Sequence, residues 1–94
     1  MRRSTLSYLA EYIGSFFFIL AIFASGGNPL IVGAALALAI FLVSNHTDGH
    51  LNPAVSVAML LNDKMEMRHF IGYVIAQILG GASAFYAYKM TKGM

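Results

Sequence analysis

Thr47-Asp48-Gly49-His50-Leu51-Asn52-Pro53-Ala54-Val55-Ser56-Val57-Ala58-Met59-Leu60-Leu61 changes character half-way along. Its first part is polar and contains Gly49. From Pro53 to Leu61 it is apolar nearly all round. Nine residues make a helix of about 14 Å, half the depth of a bilayer's hydrocarbon core. Asn52 is a good N-cap and Pro53 a good first helical residue, so a helix is predicted to start there.

Longer apolar blocks lie on either side. Tyr8 to Gly26 is nineteen residues with one charge, Glu11. Leu30 to Ser44 is fifteen with none, and Phe70 to Tyr88 nineteen with none. The first and last reach about 28 Å as helices, enough to cross the hydrocarbon. The middle block reaches the lower limit if it runs on to His46. The fold class is therefore an all-α membrane protein of one domain. Three transmembrane helices are predicted over 8–26, 30–46 and 70–88, with a re-entrant loop and half-helix over 47–62. Gly26-Gly27-Asn28-Pro29 turns the chain between the first two helices.

The re-entrant reading follows from topology. The second and third spanning helices need the same side of the membrane for the segment between them. Polar chain then dips to the midplane, and the half-helix brings it back. Irregular backbone at that depth is tolerated only in protein or against a wet cavity. A half-helix end there presents unpaired N–H groups and a positive dipole end, which channels and transporters use as barriers to cations and protons. Periodicity alone fits a helix lying on the membrane surface equally well. Against that, Pro53–Leu61 lacks the charged face of such helices.

Composition sets the outer bounds. The chain has 94 residues, 59% of them hydrophobic. Counting Gly and omitting Tyr gives about 63%, against roughly 45–50% for a soluble domain. A domain this small leaves much of its surface uncovered, and only 11% of this chain is charged, so a soluble monomer is excluded. Disorder is excluded by the same figures. There is no Cys, which removes disulfides, thiol catalysis and Cys-ligated zinc. Net charge is +2, too small and scattered for a nucleic-acid binder. No nucleophile–base pair or phosphate loop suggests an enzyme, and no cofactor site is expected. Met1-Arg2-Arg3, an apolar run and Ala24-Ser25-Gly26 outline a signal peptide, but the run is too long and carries Glu11. Arg2 and Arg3 point to a cytoplasmic N-terminus. Lys64 and Arg68 then lie inside and Lys89 and Lys92 outside, a bias weak enough to permit dual topology.

Three segments carry a family resemblance. Gly49-His50-Leu51-Asn52-Pro53-Ala54-Val55-Ser56 resembles the first of the two Asn-Pro-Ala loops of the aquaporin and glycerol-facilitator family. Ala10-Glu11-Tyr12-Ile13-Gly14-Ser15-Phe16 resembles that family's first helix, and Tyr73-Val74-Ile75-Ala76-Gln77-Ile78-Leu79-Gly80-Gly81 its third. The resemblance covers roughly Leu9 to Ala84. It implies that Asn52 donates side-chain N–H groups to a permeating molecule, and that Pro53 and Ala54 stack on the opposing loop. It implies that carbonyls of Gly49, His50 and Leu51 line the approach, and that Glu11 and Gln77 hold the loop backbone. On their own physics, Glu11 could instead snorkel and Gln77 bridge two helices. A metal site at His46 and His50 is less favoured than capping or pore lining, on ligand count. His69 and Asp63 read as solvated loop, and Phe16 to Phe18 as lipid-facing or core. Gly72, Ala76, Gly80 and Ala84 fall at four-residue steps, a small-residue face for helix packing, and Gly14 belongs to the first-helix pattern.

The chain also departs from that family. It carries one repeat where the family has two inverted ones. Val55 stands where the second loop would carry a filter Arg. Thr47-Asp48-Gly49-His50 brings an acid and is about one residue shorter than the usual approach. The second-helix filter position falls near Val32, Gly33 or Ala34, all small, which implies a wider and less discriminating pore. One repeat cannot close a pore; an antiparallel copy of itself, or another half-repeat, would supply the other half. The expected function is a passive channel in the lipid bilayer for water or small neutral solutes. The alternatives are a truncated or modulatory repeat that does not transport, and a small ion-coupled transporter using Glu11, since short multidrug transporters carry a similar first-helix run.

Overall fold

The computed structural model describes residues 3–92. Arg2 and the Arg3 side chain, which carry the orientation expectation, lie outside what it describes. The described residues form four α-helices: α1 Arg3–Ser25, α2 Pro29–Val43, α3 Pro53–Leu61 and α4 Met67–Lys92. At 1.5 Å per residue α1 spans about 34 Å and α4 about 39 Å. The molecule measures 42 × 26 × 21 Å, so its long axis is the length of one helix. Both α1 and α4 are long and apolar enough to cross a membrane, while α2 is a shorter apolar helix.

Side-chain pairing gives the helix directions. Tyr8 meets His69 and Tyr73, Glu11 meets Gln77, Ser15 faces Gly80, and Phe23 meets Phe85 and Tyr88. Both numbers rise together, so α1 and α4 run parallel. Along α2 the order is reversed. Val43 approaches Gly14, while the His46 carbonyl, just past α2, accepts from Ser7 Oγ. The chain therefore traverses the layer three times. α1 packs on both α2 and α4, and α3 packs on α4; α2 and α3 do not touch.

Close approach of α1 and α4 depends on glycine. A Cβ on Gly80 would stand 2.6 Å from the Tyr12 carbonyl oxygen and 3.1 Å from the Phe16 nitrogen. These are backbone atoms, which cannot swing aside. At Gly72 a Cβ would collide with the Tyr8 ring. Ala76, Gly80 and Ala84 are buried on the same helix, and Gly72 is half-buried.

The helix ends differ from the apolar blocks. α1 begins five residues before 8 and α4 extends from Met67 to Lys92, beyond 70–88 at both ends. Apolar runs mark the lipid-facing length, whereas backbone hydrogen bonding continues through the headgroup region where polar side chains reach water. α2 stops at Val43 rather than His46. There the Phe41 carbonyl is taken by both the N–H and the hydroxyl of Ser44. The following turn delivers Thr47 inward. Asn28 caps α2, its side chain accepting from Leu30 and Ile31 N–H at 3.0 and 3.1 Å. His69, read as solvated loop, is instead half-buried in the first turn of α4. Its Nδ1 lies 3.1 Å from Tyr8 Oη.

Candidate functional site

The depth of α3 is set by Ser56 and Gln77. Gln77 lies ten residues into α4, about 15 Å along it. Its Nε2 donates to Ser56 Oγ at 2.9 Å. Asn52 lies one turn further in, joined to Ser56 by the Ser56 N–H to Asn52 carbonyl bond at 3.2 Å. From there α3 returns over about 14 Å to Asn62, and α4 starts at Met67. The N-terminal end of the half-helix thus sits near mid-depth, and both ends of the segment open to one side.

Asn52 performs the expected capping locally: it is extended at φ −158°, and Oδ1 accepts from Ala54 N–H at 2.9 Å. That uses its oxygen alone. The Nδ2 amide donors have no protein partner among the described residues, and the residue is exposed. Pro53 is half-buried and Ala54 exposed beside it. Val55 is half-buried in the first turn of α3. Val32, Gly33 and Ala34 lie near the start of α2, and with α2 and α3 apart the structure does not bring them to Val55.

Glu11 organises the loop. It is fully buried in α1. Oε2 accepts from Thr47 Oγ1 at 2.7 Å and His50 N–H at 3.1 Å. Oε1 accepts from Leu51 N–H at 2.9 Å and Gln77 Nε2 at 2.9 Å. It is an acceptor in all four bonds, the pattern of a carboxylate. Two successive loop N–H groups point at Glu11, and that backbone conformation requires φ of +71° at Gly49 and +55° at Leu51. Leu51 bears strain of about 1–3 kcal/mol for a side chain in that region. Its side chain is buried against Gly14 and Val43, where a Cβ on Gly14 would stand 2.6 Å from Leu51 Cδ2. Gly14 thus makes room for Leu51 of the loop, and Val43 of α2 lies beside it as well. Among the described residues Gln77 makes no hydrogen bond to the loop backbone; its amide bonds Glu11 and Ser56 instead.

A second ring of bonds surrounds this core. Thr47 Oγ1 gives its one proton to Glu11, so the 2.8 Å contact with Tyr73 Oη is a bond Tyr73 donates. Asp48 N–H in turn points at Tyr73 Oη at 3.5 Å. His50 is buried, its ring edge-on to Tyr73 with centroids 5.0 Å apart. Its Nδ1 lies 2.9 Å from Ser56 Oγ, and its Nε2 4.0 Å from Asp48 Oδ2. The Ser56 hydroxyl has one proton and, among the described residues, no acceptor for it other than His50 Nδ1, so we assign the ring proton to Nε2, on the Asp48 side. His46 is exposed and His50 buried; among the described residues no group of three or more His, Cys, Asp or Glu could hold a metal. Thr47, Ser56 and Tyr73 join the network around Glu11, and sequence reasoning gave them no role. The four-residue step from Tyr73 to Gln77 and from Asn52 to Ser56 was the available signal, since each pair shares a helix face or turn. A polar cavity of about 650 Å³ opens on the loop side, lined by Thr47, Asp48, Asp63, Glu66, Arg68 and Tyr73 among others.

This loop geometry coincides with a family match over nearly the whole chain. The sequence profile described as major intrinsic protein matches residues 2–93. The chain belongs to the major intrinsic protein family. It is similar to glycerol uptake facilitator protein-like 6 of Lactiplantibacillus plantarum, 38% identical over 87% of this chain and 42% of that protein. It is 29% identical to aquaporin AqpM of Methanothermobacter thermautotrophicus, over 92% of this chain and 47% of that one. With aquaporin Z of Rhodopseudomonas palustris it shares 33%, over 86% and 40%. The chain thus spans about half the length of the curated relatives it matches, or less. No solved structure matches it. As a major intrinsic protein family member with two helices able to span a bilayer, it is an integral membrane protein.

Proposed function

We propose that the chain is half of a passive channel for water or small neutral solutes, closed by an antiparallel second copy. The observation that carries this is Asn52: a capped half-helix at mid-depth presents two amide donors that have no protein partner among the described residues. Donors fixed beside a positive helix end suit the oxygen of a neutral solute and repel cations. The named relatives, a glycerol uptake facilitator protein and aquaporins, support that solute class. The exposed Ala54 and half-buried Pro53 leave the half-helix tip open to a partner.

An ion-coupled transporter would need Glu11 to exchange protons with a lumen. Glu11 is fully buried and its oxygens take four donors from the loop and α4, which supports the channel reading instead. The test is swelling of proteoliposomes under an osmotic step. Purified chain is expected to speed water or glycerol entry over empty liposomes, and Asn52→Asp to remove the gain. No gain in the unaltered chain rejects the homodimeric channel. A gain that appears only when a full-length relative is added identifies a modulatory subunit.

A further inference from the structure

We infer that one water molecule is bound inside the protein between Ser15 and Gln77, behind the loop. Ser15 Oγ and Gln77 Oε1 are enclosed and have no hydrogen-bond partner among the described residues. Ser15 is 1% exposed and Gln77 3%. Their needs are complementary, since the hydroxyl has a proton to give and the amide oxygen has lone pairs to fill. Turning the amide over does not help. Nε2 donates to the Glu11 carboxylate at 2.9 Å, and the reverse orientation would set oxygen against oxygen. Nor does Ser15 use the usual helical outlet, the carbonyl one turn back.

Both groups sit on one seam between α1 and α4. Ser15 lies one turn beyond Glu11, and Gln77 is bonded to Glu11. Gly80, about one turn beyond Gln77, faces Ser15: a Cβ there would stand 3.0 Å from Ser15 Cβ. Ser15 and Gln77 are therefore neighbours on the seam, and their two free atoms are not hydrogen-bonded to each other. A single water, donor and acceptor at once, can serve both groups where they do not reach each other. Buried waters are held in this way, by two to four polar groups with no other partner. The water holds the free end of the Gln77 amide while Nε2 holds Glu11 and Ser56. It is a positioning element for the loop, separate from any molecule that permeates.

The test uses isotope-labelled protein in lipid bilayers and water-edited solid-state NMR. Magnetisation from water protons is expected to reach both Ser15 Cβ and Gln77 Cδ. In Ser15→Ala the transfer to Gln77 is expected to fall several-fold, and in Ser15→Thr to persist. Absence of transfer at both sites in the unaltered protein overturns the inference. So does a direct Ser15–Gln77 bond, or transfer to Gln77 unchanged by Ser15→Ala. Where Ser15→Ala fails to fold, the unaltered protein and Ser15→Thr decide. Transport is not part of the readout, so failure of the channel reading leaves this result intact.

Discussion

At Glu11 a buried carboxylate takes four hydrogen bonds and, among the described residues, no cation. Its attraction is to donors alone, two of them loop N–H groups. Glu11→Gln keeps the shape but exchanges one oxygen for an NH2. Either Thr47 and His50, or Leu51 and Gln77, then face a donor. Losing hydrogen bonds to a charged acceptor costs about 1.5–3 kcal/mol each. The expected outcome is a less stable protein in detergent unfolding and a several-fold loss of solute flux at equal protein content. Glycines offer a second contrast at the same scale. Gly80→Ala places a Cβ 2.6 Å from the Tyr12 carbonyl oxygen, while at Gly81 the nearest atom would be 3.8 Å away. Overpacking costs about 1–3 kcal/mol, and helix propensity returns less than about 1 kcal/mol. Gly80→Ala is expected to destabilise and Gly81→Ala to be neutral or stabilising, in a side-by-side thermal scan.

Within α3 the two roles of Asn52 can be separated. Asp caps a helix as well as Asn, but as a carboxylate it has no proton to donate. Asn52→Asp is therefore expected to keep amide-exchange protection at Ala54 while flux is lost. Asn52→Ala should lose both, with about 1 kcal/mol of stability. Equal protection in the two variants would reject the capping role. That α3 exists was legible from Asn52-Pro53 and the nine apolar residues after it, because cap and length are local properties. The ends of α1 and α4 were not, because polar residues such as Ser4, Thr5 and Ser7 continue a helix as readily as they leave one. His69 is half-buried although Lys64, Glu66 and Arg68 before it are charged, because Tyr8 packs across from it. The Thr47–Tyr73 bond joins residues 26 apart in sequence. No periodicity encodes such a pair; it exists because the loop and α4 meet at one depth.

At the scale of the whole molecule, two surfaces are left to be covered: the half-helix tip and the second face of α2. Leu30 is 84% exposed and Phe41 74%, which lipid can satisfy without a partner. Asn52 and Ala54 are polar or backbone-rich and near mid-depth, where lipid cannot satisfy them. A two-fold axis in the membrane plane would bring that tip against its own counterpart, as residues near such an axis contact themselves. Three traversals put Ser4 and Lys92 on opposite faces, so antiparallel copies place Lys92 of each on different sides. The chain has no Cys, which makes single-cysteine variants unambiguous. Ala54→Cys is expected to cross-link two copies in membranes, and Lys92→Cys to give no such product. Impermeant labels applied from one side should reach Lys92→Cys in about half the molecules. Lys92→Cys cross-linked and labelled from one side only would mean parallel copies in a single orientation. The half-helix tip would then need its inverted partner from another protein, and the homodimeric channel would be excluded.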